Sequence, residues 1–284
     1  MSESKKRRVR ISRSVINVLI TVYGLIMLYP IVWMFFATFK KNEEIFGSVR
    51  LLPQTFDTSG YISGWKGTGG ISYLTYFLNT FRIVVLVTLL TVMTCALVAY
   101  GFARFRFPGK KILFMILIST LMLPNAVIMI PRYSLFNKFG WINTYMPFYA
   151  PALLATYPFF IFMLVQFMRG LPKELDESAY MDGCGTFRVF TQILLPLMKP
   201  ALFSAGLFQF IWTYNDYLNP LLYINSATKY TISLALKLSI DAESVVQWNK
   251  VMAMAFLANL PLIILFFSAQ KYFVEGIATS GIKG

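Results

Sequence analysis

The chain has 284 residues, 57% of them hydrophobic and only 13% charged, with a formal net charge of +14 and a mean hydropathy of +0.62. That leaves too little polar surface to cover a soluble domain, so the expected solvent is lipid and the expected fold is an all-α membrane protein. The absence of histidine excludes His-based triads, His metal ligands and His proton relays. Cys95 in an apolar run and Cys184 in a charged loop make neither a Cys-based zinc site nor a structural disulfide.

Residues 1–14 form a basic N-terminus, with six Lys and Arg from Lys5 to Arg13. They precede an apolar run, as a cytoplasmic flank does, and the other basic residues do not gather on one aromatic-interleaved face, so no nucleic-acid partner is expected. The apolar stretch from Val15 to Phe39 is too long for a signal peptide and lacks a small-residue cleavage site, so it reads as a retained span. A bilayer core of about 30 Å needs about 20 apolar residues in a helix. Runs near 15–39, 79–103, 112–131, 145–168, 201–224 and 251–271 meet that need. Six transmembrane helices, within 15–272, put both termini on one side. Arg104, Arg106, Lys110 and Lys111, and later Arg169 and Lys173, mark that side as cytoplasmic, leaving 273–284 as a cytoplasmic tail.

Two outer segments follow from this topology. The first, about 40–78, is rich in Gly, Ser and Thr and reads as loop with a short interfacial helix; Lys40 and Lys41 there run against the charge rule. The second, about 225–250, alternates Tyr230, Ile232, Leu234 and Leu236 with polar residues. Such a stretch pairs as a strand, caps a partner's cleft, or folds back as a solvated linker. Pro30, Pro124, Pro151, Pro158, Pro220 and Pro261 predict kinks in the spans. No repeat of solenoid or propeller period is present.

The segment 171–200, LPKELDESAYMDGCGTFRVFTQILLPLMKP, is long for a connection between spans. Pro172 and the acidic Glu174, Asp176 and Glu177 predict a helix start, and Gly183 and Gly185 a stop and turn. Phe187, Phe190, Ile193 and Leu194 then recur at helical spacing until Pro196 interrupts. Two short amphipathic helices meeting at a glycine corner suit either a knob seated in a partner's groove or a hairpin lying on headgroups.

Glu177-Ser178-Ala179, then Gly183 and, nine residues on, Ile193, Leu195 and Pro196 keep every spacing of the E-A-A loop of binding-protein-dependent ABC importer permeases, which the chain therefore resembles. Only Ser178 departs from that pattern. Arg104-Phe-Arg-Phe-Pro-Gly-Lys-Lys, Phe210-Ile-Trp-Thr-Tyr-Asn-Asp-Tyr-Leu-Asn-Pro-Leu and the tail from Gly276 to Gly284 narrow the resemblance to the carbohydrate-uptake branch, similar to the six-helix permease of maltose-type importers. The resemblance implies a type I ABC importer permease fold and a non-catalytic subunit that forms the translocation path with a second, homologous permease. It implies that the loop bearing Glu177 docks on an ATPase subunit dimer, which binds the ATP and Mg, with Gly183 at the corner. It further implies that Gly276, Gly281, Lys283 and Gly284 belong to a tail reaching the ATPase. The outer segment 225–250 would reach an extracytoplasmic sugar-binding protein, in a bacterial or archaeal cytoplasmic membrane.

Tyr214, Asn215, Asp216 and Asn219 form the most conspicuous polar cluster, in a run otherwise apolar from Ala201 to Leu222. A charge at membrane depth costs about 2.5–3.5 kcal/mol, so Asp216 must face protein or water. The cluster is either a translocation-path lining or a structural contact, and the structural reading is preferred for Asp216. Asn79, Asn125, Asn143 and Asn259 read as interhelical hydrogen-bonding amides. Tyr29, Trp33, Tyr149, Tyr157 and Trp212 serve as membrane belts, packing or sugar-stacking faces. The rivals are an ion-coupled secondary transporter, for which Asp216 alone is thin support, and a membrane-embedded enzyme, for which the spans hold no nucleophile and base. No G-x-x-x-x-G-K-[ST] occurs, so any ATPase is a separate chain.

Overall fold

The computed structural model describes residues 3–48, 50–67, 69–241 and 246–280, and every regular element among them is helical. In chain order these are α1 (Glu3–Ala37), α2 (Asn42–Gly47), α3 (Ser59–Lys66), α4 (Tyr73–Arg104), α5 (Lys110–Thr120), α6 (Asn125–Lys138), α7 (Met146–Leu153) and α8 (Pro158–Arg169). There follow α9 (Glu174–Met181), α10 (Thr186–Arg188), a π-helical stretch (Val189–Leu194), α11 (Leu195–Leu197), α12 (Lys199–Tyr214), α13 (Leu218–Tyr223), α14 (Ile232–Asp241) and α15 (Trp248–Ser280). Four stretches are long and apolar enough to cross a membrane: Ser14–Ala37, Tyr73–Arg104, Met146–Arg169 and Trp248–Gln270. Among the described residues the number is up to six if each of two bent pairs is one span, α5 with α6 at 102° and Thr186–Leu197 with α12 at 77°.

The chain divides into two compact units, the first Met1–Ser72 with Leu238–Asn259. In it α1 exposes apolar side chains on all sides from Val15 to Tyr29, as a helix surrounded by lipid does. The first outer segment holds two short helices, α2 and α3, where a loop with one short helix is expected. Gly60 and Gly64, four apart on α3, sit against α15, where a Cβ would come within 2.7 Å of the Asn249 carbonyl oxygen and of the Met254 side chain. Lys40 is fully buried, its ammonium donating to the Arg50 carbonyl and lying 5.9 Å from the Trp33 ring. Its charge is thus absorbed by a carbonyl and an aromatic face, which accounts for a lysine that runs against the charge rule.

The second unit, Tyr73–Lys237 with Leu260–Gly284, is organised by α4, which packs against α7, α8 and α12. Its core joins Cys95, Ala96 and Ala99 of α4 to Phe160, Leu164 and Met168 of α8 and to Ala201 and Ala205 of α12. Small residues there let helix backbones approach closely where lipid supplies no hydrophobic drive. The same cluster continues through Val189, Phe190, Leu194 and Met198.

The structure corrects several boundaries. The second span starts at Tyr73, six residues before the hydropathy run, because Tyr73 and Tyr76 are buried. The third run is two helices bent at 121–124, where Pro124 removes an amide and restricts the residue before it. The fifth run breaks at Asn215–Tyr217, since Pro220 has no N–H for the carbonyl of Asp216. Pro196 does not interrupt its helix: the chain widens into the π-helical stretch, with the Leu195 amide on the Phe190 carbonyl, and bends only at Met198. The alternating stretch of the second outer segment is helical, as α14, and not a strand. With no strand among the described residues to pair with, a helix satisfies its amides and carbonyls internally. The basic N-terminal residues from Glu3 onward continue directly into α1, and the tail continues α15 to Ser280.

Candidate functional site

The E-A-A-like loop folds as a compact corner. Helix α9 ends at a glycine in left-handed conformation, Gly183 at φ 80°. The Gly183 amide donates to the Tyr180 carbonyl at 3.0 Å and the Cys184 amide to the Ala179 carbonyl at 2.9 Å, the paired bonds of a Schellman ending. Ala179 is buried beneath the corner, whereas Glu177 and Ser178 are exposed. The Ser178 hydroxyl bonds back to the Leu175 carbonyl at 3.2 Å, so the one departure from the family pattern is satisfied within its own helix. Flanking the corner, Met181 is 88% and Phe187 71% exposed. Ile193 and Leu195 are half-buried and Pro196 is exposed.

What holds the corner lies on α4. Arg104 Nε is 2.6 Å from Asp176 Oδ2, with the two side chains only 6% and 11% exposed. The same guanidinium donates to the carbonyls of Leu171 at 3.2 Å and Pro172 at 3.5 Å. One turn earlier, the Tyr100 hydroxyl donates to the Thr186 carbonyl at 3.1 Å and its ring stacks on Phe190 at 4.9 Å. Burial pushes the Asp176 carboxyl above its usual range, against the pull of Arg104, and its second oxygen, Oδ1, has no hydrogen-bond partner. Both halves of the corner are thus tied to the end of α4. The sequence offers Arg104 only as a flank charge and Asp176 only as a helix-dipole charge; nothing local links them.

Of the tail residues, Gly276 lies within α15, while Gly281, Lys283 and Gly284 fall outside the described residues. The polar cluster of the fifth run is divided by the break at 215–217. Tyr214 is buried against Phe210 and Phe81, and the Asn215 amide donates to the Ile211 carbonyl at 3.0 Å. Asp216 accepts from the Asn219 backbone at 3.1 Å and from the Asn219 side chain at 2.7 Å, which starts α13. Asp216 and Asn219 line a cavity of about 630 Å³, with Asn125, Arg132, Gln209 and Thr213. Tyr157, Trp141 and Trp212 line it too; Tyr214 and Asn215 are not in its wall. Arg132, Gln209 and Thr213 were not singled out in the sequence, because one Arg in an amphipathic stretch and one Gln in an apolar helix carry no spacing signal.

The amides Asn79 and Asn143 pin the second outer segment. Asn79 donates to the carbonyls of Thr228 and Tyr230 at 2.8 and 3.1 Å, and Asn143 Oδ1 accepts from the amides of Asn225 and Ser226 at 3.2 and 3.0 Å. Asn143 itself is left-handed, φ 61°, a conformation asparagine tolerates.

A family model described as "Binding-protein-dependent transport system inner membrane component" matches residues 93–279. The chain is 32% identical over its whole length to a probable ABC transporter permease protein, YurM, of Bacillus subtilis (strain 168), covering 93% of that protein. It is 30% identical, over 92% of this chain and 93% of the other, to the trehalose/maltose transport system permease protein MalG of Thermococcus litoralis. Its structure superposes with a TM-score of 0.82, over 96% of this chain and 99% of the other at 22% identity, on a chain from the crystal structure of a bacterial ABC transporter involved in the import of the acidic polysaccharide alginate.

Proposed function

The chain belongs to the family of binding-protein-dependent transport system inner membrane components, and from that premise we propose that it is one of two homologous permeases in an ATP-driven oligosaccharide importer. Family membership carries an ATPase and a substrate-binding protein as partners and replaces the secondary-transporter and membrane-enzyme readings. The relatives' names, trehalose/maltose and arabinooligosaccharides, support a neutral oligosaccharide as cargo. Both termini and the 171–200 corner face the cytoplasm of a bacterial or archaeal cell, where the corner seats in a cleft of the ATPase dimer that binds ATP and Mg. The substrate-binding protein sits on the other face, against the segment 225–250.

The observation that carries the docking reading is the corner itself: an exposed carboxylate, Glu177, flanked by exposed Met181 and Phe187 on a backbone locked to α4. A hairpin lying on headgroups would turn a basic edge to the lipid, whereas α9 offers Glu174 and Glu177. Glu177→Lys should therefore abolish uptake and release the ATPase during purification, while the chain still inserts in the membrane. A purified Glu177→Lys complex that keeps its ATPase and its uptake would make the docking assignment wrong.

A further inference from the structure

A second hollow, of about 590 Å³, lies between the start of α5 and the end of α8 and shares no wall residue with the cavity at the helix breaks. Lys110 and Lys111, the first two residues of α5, and Arg169, the last of α8, line its charged end, and Met115, Ile118 and Ser119 continue it along α5. The Ser119 hydroxyl is spent on the Met115 carbonyl at 2.9 Å, so the inner end is apolar in effect. The Arg169 guanidinium is held 4.8 Å over the Phe114 ring, and the Lys110 ammonium donates to the Phe105 carbonyl at 2.7 Å. Arg106 and Lys173 are near enough to press on Lys110 as well. No carboxylate lines the hollow, and among the described residues none pairs with its three cations. A helix carries its positive end at the first turn, so the two lysines there are repelled by the dipole as well as by each other. The topology rule asks for basic residues on this side of the bilayer, but it does not ask that they converge on one apolar groove.

We propose that this groove binds one anionic phospholipid, with its phosphate among Lys110, Lys111 and Arg169 and an acyl chain along Phe114, Met115 and Ile118. From Lys111 to Ile118 the helix rises about 10 Å, which carries the groove from headgroup depth into hydrocarbon. Ile112, Met115 and Ile116 are exposed on the same helix, as lipid-facing side chains are. Basic pockets between helices at the cytoplasmic face suit anionic headgroups. A zwitterionic head brings the same phosphate but also an ammonium, for which the wall has no carboxylate. A free phosphate would meet the cations and leave the apolar length unused. The bound lipid also joins two stretches that frame the 171–200 corner, since Arg169 comes just before it and Lys110 follows the corner's anchor, Arg104, by six residues. Such a site requires only that the chain spans a membrane, whatever its cargo.

The test places the purified complex in nanodiscs and adds a phosphatidylglycerol with a diazirine on the acyl chain beside its glycerol, or a phosphatidylcholine with the same chain. After illumination, peptide mass spectrometry locates the label. Residues 110–119 should take phosphatidylglycerol at least fivefold more than phosphatidylcholine. Each basic residue near an anionic lipid surface is worth about a factor of five, so Lys111→Gln should cut that labelling about fivefold and Lys111→Gln/Arg169→Gln more than about tenfold. Both positions are exposed, and should the double variant fail to co-purify with its ATPase, Lys111→Gln alone decides. Lys138→Gln, at an exposed cation outside the groove, should leave the labelling unchanged. Soluble glycerol 3-phosphate, at an ionic strength matched with chloride, should not displace it. Equal labelling by the two lipids, labelling that survives the substitutions, or displacement by glycerol 3-phosphate overturns the lipid site. So does a groove that takes neither lipid, as one covered by the second permease would. None of these outcomes depends on sugar uptake, so the importer reading stands or falls separately.

Discussion

Removing either partner of the Arg104–Asp176 pair should have unequal consequences. Asp176 titrates above its ordinary value of 3.8 because burial outweighs the attraction of Arg104. Its charge is therefore costly to bury, and Asp176→Asn, which keeps a side-chain oxygen beside Arg104 Nε, should cost less than Arg104→Met. Arg104→Met is different, since it strands a buried carboxylate. That cost is capped by protonating the carboxyl instead: from 3.8 to pH 7 at about 1.36 kcal/mol per unit, about 4 kcal/mol. Loss of the bonds to the Leu171 and Pro172 carbonyls adds about 1–3 kcal/mol. The double variant Arg104→Met/Asp176→Asn removes the first term and keeps the second, so it should be more stable than Arg104→Met alone. The pH dependence has a fixed sign. A carboxyl that titrates higher in the folded than in the unfolded state binds protons more tightly when folded, so stability falls as pH rises through that window. Moving Arg104→Met from pH 7 toward pH 5 should then recover part of that loss. Residual ATPase retention of the purified complex after graded heating at both pH values reads the order. If Asp176→Asn is as damaging as Arg104→Met, or the double variant worse than either, the pair does not work as argued.

Gly183→Val should lower uptake and coupled ATPase activity together, because the left-handed φ costs about 1–2 kcal/mol for a residue with a Cβ. No atom lies within 4 Å of a Cβ there, so Gly183→Asn, which tolerates that φ, should stay near normal, and an equal loss in both would point to a contact surface instead of backbone strain. Asp216→Asn should leave uptake of neutral sugar nearly unchanged, since the amide oxygen still accepts from the Asn219 backbone; lost uptake with an altered pH profile would reopen proton coupling. Replacing 226–236 with a Gly/Ser linker should prevent assembly, because Ile232 and Leu234 are 1% exposed and each costs about 2–5 kcal/mol when truncated in a core. Charge reversal at the exposed Lys237 should leave assembly intact and weaken only stimulation by sugar-loaded binding protein, measured as ATPase rate.

The spans were legible because bilayer thickness fixes the length of an apolar run, and the corner because a glycine after an acidic helix start announces a left-handed ending. Hydropathy averages over a window, so it passed smoothly across 121–124 and 215–217, where a proline's missing amide breaks the helix but composition hardly changes. Alternation misled at Ile232–Asp241 for a related reason. A period of two describes which residues are apolar, whereas the choice of strand requires a second strand, and the described residues hold none. Charge counting could only set Lys40 against the topology; its long stem lets the ammonium reach the Arg50 carbonyl from a fully buried position.

The cluster from Tyr214 to Asn219 shows where sequence proximity and function part. Consecutive polar residues in an apolar helix would occupy all of its faces, and no single wall could use them together. The break at 215–217 resolves this by reorienting the chain between Tyr214 and Asn219. Tyr214 goes to the ring stack with Phe210 and Phe81, while Asp216 is spent on starting α13 and still reaches the cavity. The residues that complete that wall, Arg132 and Gln209, come from α6 and α12, each alone in its own stretch of sequence. The cavity is lined by single polar residues from several helices, and the backbone breaks bring Asn125, Tyr157 and Asp216 to its wall.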